Sequence, residues 1–122
     1  MKKRILVVED DRDIMELVNM ILTRAGYEVT ICENGRDAIP AIKQIRPHLV
    51  LLDLMLPGMD GKTIVAEMEK DEETNTTSIL ILSALEAAGH MFIGKPMVKG
   101  VCFKPFSPKG LLEKVKAIMG DN

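Results

Sequence analysis

Four apolar runs in this chain each end in a residue that can do chemistry. "ILVV" (5–8) leads into Glu9, Asp10 and Asp11, and "LVLL" (49–52) leads into Asp53. "ILIL" (79–82) leads into Ser83, and "VCF" (101–103) into Lys104. Brought side by side, the four ends would supply a cluster of acids, one hydroxyl and one ammonium. Two carboxylates about 5 Å apart repel by roughly 3 kcal/mol at an effective dielectric of about 20. Acids gathered in this way raise one another's pKa values, swing apart or hold a cation. Mg²⁺ suits such a set, because it takes oxygen ligands, tolerates few carboxylates and favours phosphate oxygens. A carboxylate can also attack phosphorus as a nucleophile. The metal and Lys104 would then neutralise charge on the equatorial oxygens, and Ser83 would donate a hydrogen bond to one of them. Taken singly, each piece has a plainer reading: Glu9 to Asp11 as a helix cap, Ser83 as a turn residue, Lys104 as a surface charge.

The elements that must position these residues follow from hydrophobic periodicity. "RILVV" (4–8) reads as a first strand. Ile14, Met15, Leu17, Val18, Ile21, Leu22 and Ala25 then recur at helical spacing, with capping-box spacing between Asp13 and Glu16 in front and Gly26 closing the helix. "YEVTIC" (27–32) alternates as a second strand. "NGRDAIPAIKQI" (34–45) reads as a helix that Pro40 must kink or shorten at its start. "HLVLLDL" (48–54) is a third strand, and "KTIVAEMEK" (62–70) a helix with Ile64, Val65 and Met68 inward. "SILIL" (78–82) is a fourth strand and "VCF" (101–103) a short fifth. Ser107 caps the last helix, with Pro108 at its first position and Leu111, Leu112, Val115, Ile118 and Met119 as its apolar stripe, and Gly120 ends it.

Strand and helix alternate, and the strands are apolar almost throughout, which argues for a parallel sheet covered on both faces. The expected fold is α/β: a doubly wound, flavodoxin-like sheet of five strands in the order 2-1-3-4-5. Ligands of such sheets bind beyond the carboxyl ends of the strands where the winding reverses, between strands one and three. Those are the ends that carry Glu9, Asp10, Asp11 and Asp53. The length of 122 residues suits one domain, taken as 1–122. A hydrophobic share of 47% is enough for a full core. A net charge of −2 suggests no direct nucleic-acid or membrane binding, and no apolar run approaches bilayer length. The short apolar start before the acids does not suit a signal peptide, so a cytoplasmic protein is expected. Cys32 and Cys102 lie in strands with no metal-binding spacing and read as buried thiols.

"ILVVEDD" (5–11), "LVLLDLMLPGMDG" (49–61), "ILILSA" (79–84) and "FKPF" (103–106), in this order and spacing, resemble the receiver domain of two-component response regulators. The resemblance spans essentially the whole chain. It implies a phosphoacceptor signalling switch, not an enzyme with an external product, that promotes its own phosphotransfer and dephosphorylation. Asp53 would be the phosphoacceptor. Glu9, Asp10, Asp53 and the backbone carbonyl of Met55 would hold Mg²⁺, with Glu9 acting directly or through water. Ser83 would be the switch hydroxyl and Lys104 the ionic partner of the phosphoryl group. The Lys104–Pro105 bond would be cis, as is usual in this family. The phosphate would come from a phosphohistidine on a sensor histidine kinase or a phosphotransfer protein, and the signal would pass to a downstream protein. The positions that help place or exclude the hydrolytic water in this family are Met55 and Leu85 here.

Two features depart from the family pattern. Val101 stands where these domains usually carry Tyr or Phe, and residues 86–100 hold Gly89, Gly94, Pro96 and Gly100 where a fourth helix belongs. That helix is expected to be short, displaced or partly disordered and to end before Lys95; His90 within it is read as incidental. One alternative is a receiver-like interaction module that no longer takes phosphate. A phosphatase of the haloacid-dehalogenase type would need a second Asp at position 55, which is Met. A flavodoxin would need a Ser/Thr/Gly-rich loop after the first strand.

Overall fold

The computed structural model describes residues 2–121. Ten elements alternate: β1 (Arg4–Val8), α1 (Arg12–Arg24), β2 (Glu28–Cys32), α2 (Ala38–Ile45), β3 (Leu49–Asp53), α3 (Gly61–Lys70), β4 (Ser78–Ser83), α4 (Ala88–Met91), β5 (Val98–Phe103) and α5 (Pro108–Met119). All strand pairings are parallel, and the order is β2-β1-β3-β4-β5, as the strand-helix alternation implies. Alternation along each strand divides the interior in two. Leu6, Val8, Val50, Leu52, Ile79 and Ile81 pack with residues of α2, α3 and α4. Ile5, Val7, Leu49, Leu51, Leu80 and Leu82 pack with residues of α1 and α5. Every one of these twelve side chains is fully buried, which is why β1, β3 and β4 show no polar alternation.

Local chemistry sets the helix ends. Asp11, not Asp13, caps α1: its carboxylate accepts from the amides of Asp13 (3.0 Å) and Ile14 (3.2 Å). The capping box expected from Asp13 and Glu16 therefore gives way to a cap two residues earlier. α2 starts at Ala38, four residues after the sequence pattern begins, and Pro40 falls in its first turn, where a missing amide breaks no helical bond. Ser107 caps α5 through the Gly110 amide (2.9 Å), Pro108 is its first residue and Gly120 closes it with φ 74°. Ile64, Val65 and Met68 are the buried face of α3.

α4 is a single turn of four residues, as the glycines and Pro96 dictate. The chain beyond it is nonetheless held, because Phe92 and Met97 are buried beside Ala88 in the same core as α2 and α3. β5 is longer than its apolar triplet: it begins at Val98, and a register irregularity between Ile79 and Leu80 skips Lys99, so that Val98 and Gly100 pair with the sheet. Cys32 and Cys102 are buried free thiols. Among the described residues no helix is long and apolar enough to cross a membrane.

Candidate functional site

β1 and β3 are neighbours, and Val8 pairs with Leu52, so the residues that follow leave the sheet side by side. Glu9, Asp10 and Asp53 each offer a carboxylate oxygen within 4.8 Å of the others. Glu9 is fully buried and Asp53 is 6% exposed, while Asp10 opens to solvent. Asp11, expected with them, turns away to cap α1. Three consecutive acids thus divide between a buried counter-charge, a solvent-facing carboxylate and a helix cap.

Lys104 reaches this cluster from β5. Its Nζ donates to Glu9 Oε1 (2.7 Å) and to Asp53 Oδ2 (3.2 Å). The other Glu9 oxygen, Oε2, accepts the amides of Asp10 (3.0 Å) and Asp11 (3.2 Å). Asp53 Oδ1 accepts the amide of Met55 (3.1 Å), which folds the start of the β3–α3 loop back over the carboxylate. Gly61 opens α3 at a spot where a β-carbon would stand 2.8 Å from the carbonyl oxygen of Asp53, so only glycine lets the helix begin this close. Ser83 ends β4, is 2% exposed, and its Oγ accepts the Leu85 amide (3.0 Å). Its carbonyl accepts the Lys104 amide (2.8 Å), tying the end of β4 to the end of β5. The Lys104–Pro105 bond is cis.

Glu9 and Asp53 share the Lys104 ammonium, and Asp10 stands beside them; the crowding and the burial together show in Glu9. Its carboxyl is pushed up to about 7, first by burial and then by Asp53, against the pull of Lys104. Burial opposes the charge on Lys104, but Glu9 and Asp53 outweigh it and raise the ammonium's pKa. Hard oxygen donors with a surplus of negative charge and one solvent-facing member fit Mg²⁺, which keeps waters and binds through one or two carboxylates. Glu9, Asp10, Asp53 and Lys104 therefore meet at one crevice, Ser83 ends the neighbouring strand β4, and Met55 touches the cluster through its backbone amide, its side chain being 71% exposed.

The two departures from the family pattern lie on and beside β5. Val101 is half-buried in the α2–α4 core. Two residues on, Phe103 lies on the same side of β5, opposite Ser83 in register and 45% exposed. The ring reaches to 3.7 Å from where a β-carbon on Gly89 of α4 would stand. His90 is exposed on α4, apart from the acids. The turn of residues 33–37 also touches the β3–α3 loop, a contact the sequence reading missed; the pair "NG" at Asn34–Gly35 was its only local signal.

A family model for the response regulator receiver domain matches residues 5–116. The DNA-binding response regulator MtrA of Mycobacterium tuberculosis is 33% identical over 129 residues, covering 100% of this chain and 53% of MtrA. The chain thus spans about half the length of the curated relatives it matches. The chemotaxis response regulator CheY4 of Vibrio cholerae superposes with a TM-score of 0.88 at 28% identity, covering 97% of this chain and 99% of that one. The receiver domain of the sensor histidine kinase PA1611 from Pseudomonas aeruginosa, solved with a magnesium ion coordinated in its active-site cleft, shares the fold with a TM-score of 0.85 at 24% identity, covering 99% of this chain and 100% of that one.

Proposed function

The chain belongs to the response regulator receiver domain family, and from that premise we propose that Asp53 is the residue through which it takes and gives up phosphate. One Asp53 oxygen attacks the phosphorus of a phosphohistidine on a sensor histidine kinase or phosphotransfer protein. The new O–P bond forms as the P–N bond breaks, the imidazole leaves with the electron pair, and Asp53 becomes an acyl phosphate. Lys104, already 3.2 Å from Asp53, stays as counter-charge to the phosphoryl oxygens. Ser83 Oγ is engaged as an acceptor by Leu85, so its own hydrogen is free to turn toward the phosphoryl group. Glu9, Asp10, Asp53 and the Met55 carbonyl would hold Mg²⁺, which when bound supplies positive charge against the transferring group.

Residues 1–122 act in this reading as a single receiver unit, working in the cytoplasm, that promotes its own phosphotransfer and dephosphorylation. An apolar hollow lined by Ile14, Leu17, Ala84, Pro105 and Phe106 lies beside Lys104 and suits the apolar face of a protein phosphodonor. A downstream protein receives the signal. The single observation that carries the proposal is the gathering of Glu9, Asp10 and Asp53 into one carboxylate cluster, two of whose members, Glu9 and Asp53, are bound by the ammonium of Lys104. Incubation with acetyl phosphate and MgCl₂, read by intact-protein mass spectrometry, tests it. One phosphoryl group should add to the wild type and none to Asp53→Asn. A wild type that stays unmodified would favour the interaction module that no longer takes phosphate.

A further inference from the structure

The turn between β2 and α2, residues 33–37, sits against the loop that carries the proposed carbonyl ligand. The Gly35 amide donates to the Pro57 carbonyl (3.1 Å). Among the described residues this is the one backbone hydrogen bond that ties residues 55–59 to another segment of the chain. The approach is closer than any side chain permits. A β-carbon on Gly35 would overlap the carbonyl oxygen of Met59 and lie 2.6 Å from its carbon and 2.9 Å from its nitrogen. All three are backbone atoms, which cannot rotate aside. In return, the site of a β-carbon on Gly58 lies 3.1 Å from Arg36 Cγ and 3.2 Å from its Nε.

The turn is itself anchored at its other end. Asn34 and Asp37 exchange two hydrogen bonds, the Asp37 amide to Asn34 Oδ1 (2.9 Å) and Asn34 Nδ2 to Asp37 Oδ2 (2.8 Å). One step back, the Cys32 carbonyl accepts the Glu9 amide (3.0 Å). The turn therefore runs from the exit of β1, where the buried acid sits, to the middle of the loop that leaves β3.

We propose that Gly35 is a positioning residue for the site: the turn 33–37 is a brace that sets how the β3–α3 loop, and with it the Met55 carbonyl, stands over the acids. The inference rests on the functional reading above and goes beyond it by assigning a role to a residue that touches neither phosphate nor metal. Any side chain at position 35 must push Met59 away and displace the loop.

The test compares the wild type with Gly35→Ala and with Gly26→Ala. Gly26 has φ 98° and no neighbour within 4 Å of a β-carbon, so alanine strains its backbone far from the site. Thermal melts in EDTA establish that each variant folds and how much stability it loses. Titration calorimetry with MgCl₂ alone then gives the metal affinity. Gly35→Ala should bind Mg²⁺ about tenfold or more weakly than the wild type, and Gly26→Ala should bind it as the wild type does despite its own loss of stability. A folded Gly35→Ala with wild-type affinity overturns the brace, as does an equal loss in Gly26→Ala. Should Gly35→Ala fail to fold, Arg36→Ala decides: a smaller loss in the same direction supports the brace, and an unchanged affinity overturns it. A wild type that binds no Mg²⁺ overturns the functional reading itself, and the brace with it.

Discussion

Replacing Asp53 with Asn keeps the shape of the side chain and deletes one charge, and the consequence can be worked from the cluster. The acid oxygens lie within 4.8 Å of one another. At an effective dielectric of about 20, a like pair at that distance repels by about 3.5 kcal/mol, and the opposite pair of Lys104 and Asp53 attracts by about 5 kcal/mol. Asp53 repels buried Glu9 in full and solvent-facing Asp10 at a discount, so repulsion and attraction nearly cancel. What remains is the cost of keeping a 6% exposed carboxylate out of water. Asparagine removes that cost while its oxygen still accepts the Met55 amide. Lys104 is not orphaned, because Glu9 holds it at 2.7 Å. Without metal at pH 8, Asp53→Asn should therefore be the more stable protein by about 2 kcal/mol, roughly 8 °C in Tm. Mg²⁺ at 100 times its Kd should add about 2.7 kcal/mol to the wild type and little to the variant, so their order reverses. Differential scanning calorimetry with EDTA and then with MgCl₂ reads both. A variant less stable than the wild type in EDTA, or one that gains as much from Mg²⁺, would show that charge is not crowded around Asp53.

Three further expectations follow from the same geometry. Glu9 has a folded-state pKa raised from 4.5 to about 7, so its contribution of roughly 3 kcal/mol is present below pH 4.5 and lost as pH rises through 7; urea midpoints in EDTA should fall between pH 5 and 8, and Glu9→Gln should flatten that profile. The acyl phosphate should be long-lived, because Met55 and Leu85, 71% and 45% exposed beside the acceptor loop, offer no side-chain hydrogen bond to an in-line water; Met55→Asn should hydrolyse faster, and an unchanged half-life of seconds in both proteins would refute this. Amides of residues 87–96 should exchange far faster than those of α3, since one four-residue turn, buried Ala88 and Phe92 and a Lys95–Glu69 ion pair hold them in place of a continuous helix, and phosphorylation should slow them; helix-like protection across this segment before phosphorylation would contradict the expectation.

The three central strands were legible because they are buried on both faces and so are written as unbroken apolar runs, each stopped by a polar residue of the candidate site. Ile5 to Val8, Leu49 to Leu52 and Ile79 to Leu82 are all fully buried. The weak fourth helix was legible for the opposite reason: Gly89, Gly94 and Pro96 leave a helix little to gain, and the chain makes one turn. The longer β5 was not. Val98 to Gly100 have no strand pattern of their own, and Val98 and Gly100 pair only because Ile79 and Leu80 offer free ladder positions alongside, with Lys99 left over between them. Edge pairing of that kind is decided by the neighbour, not by the segment.

The division of labour among Glu9, Asp10 and Asp53's other neighbours was beyond the reach of residue types for a related reason. Glu9, Asp10 and Asp11 are chemically near-identical and adjacent, so composition and spacing treat them as one cluster. Their fates separate only once the chain turns from strand to helix. The turn directs Glu9 back under the amides of Asp10 and Asp11, leaves Asp10 facing water, and presents Asp11 to the first turn of α1. Gly35 is the harder case, because its role lies in an atom it lacks and its partner, Met59, is a backbone segment 24 positions away. A motif of functional side chains shows which groups can react. The precision with which they meet is set partly by glycines such as Gly35 and Gly61, whose value is visible only when the opposing backbone is in place.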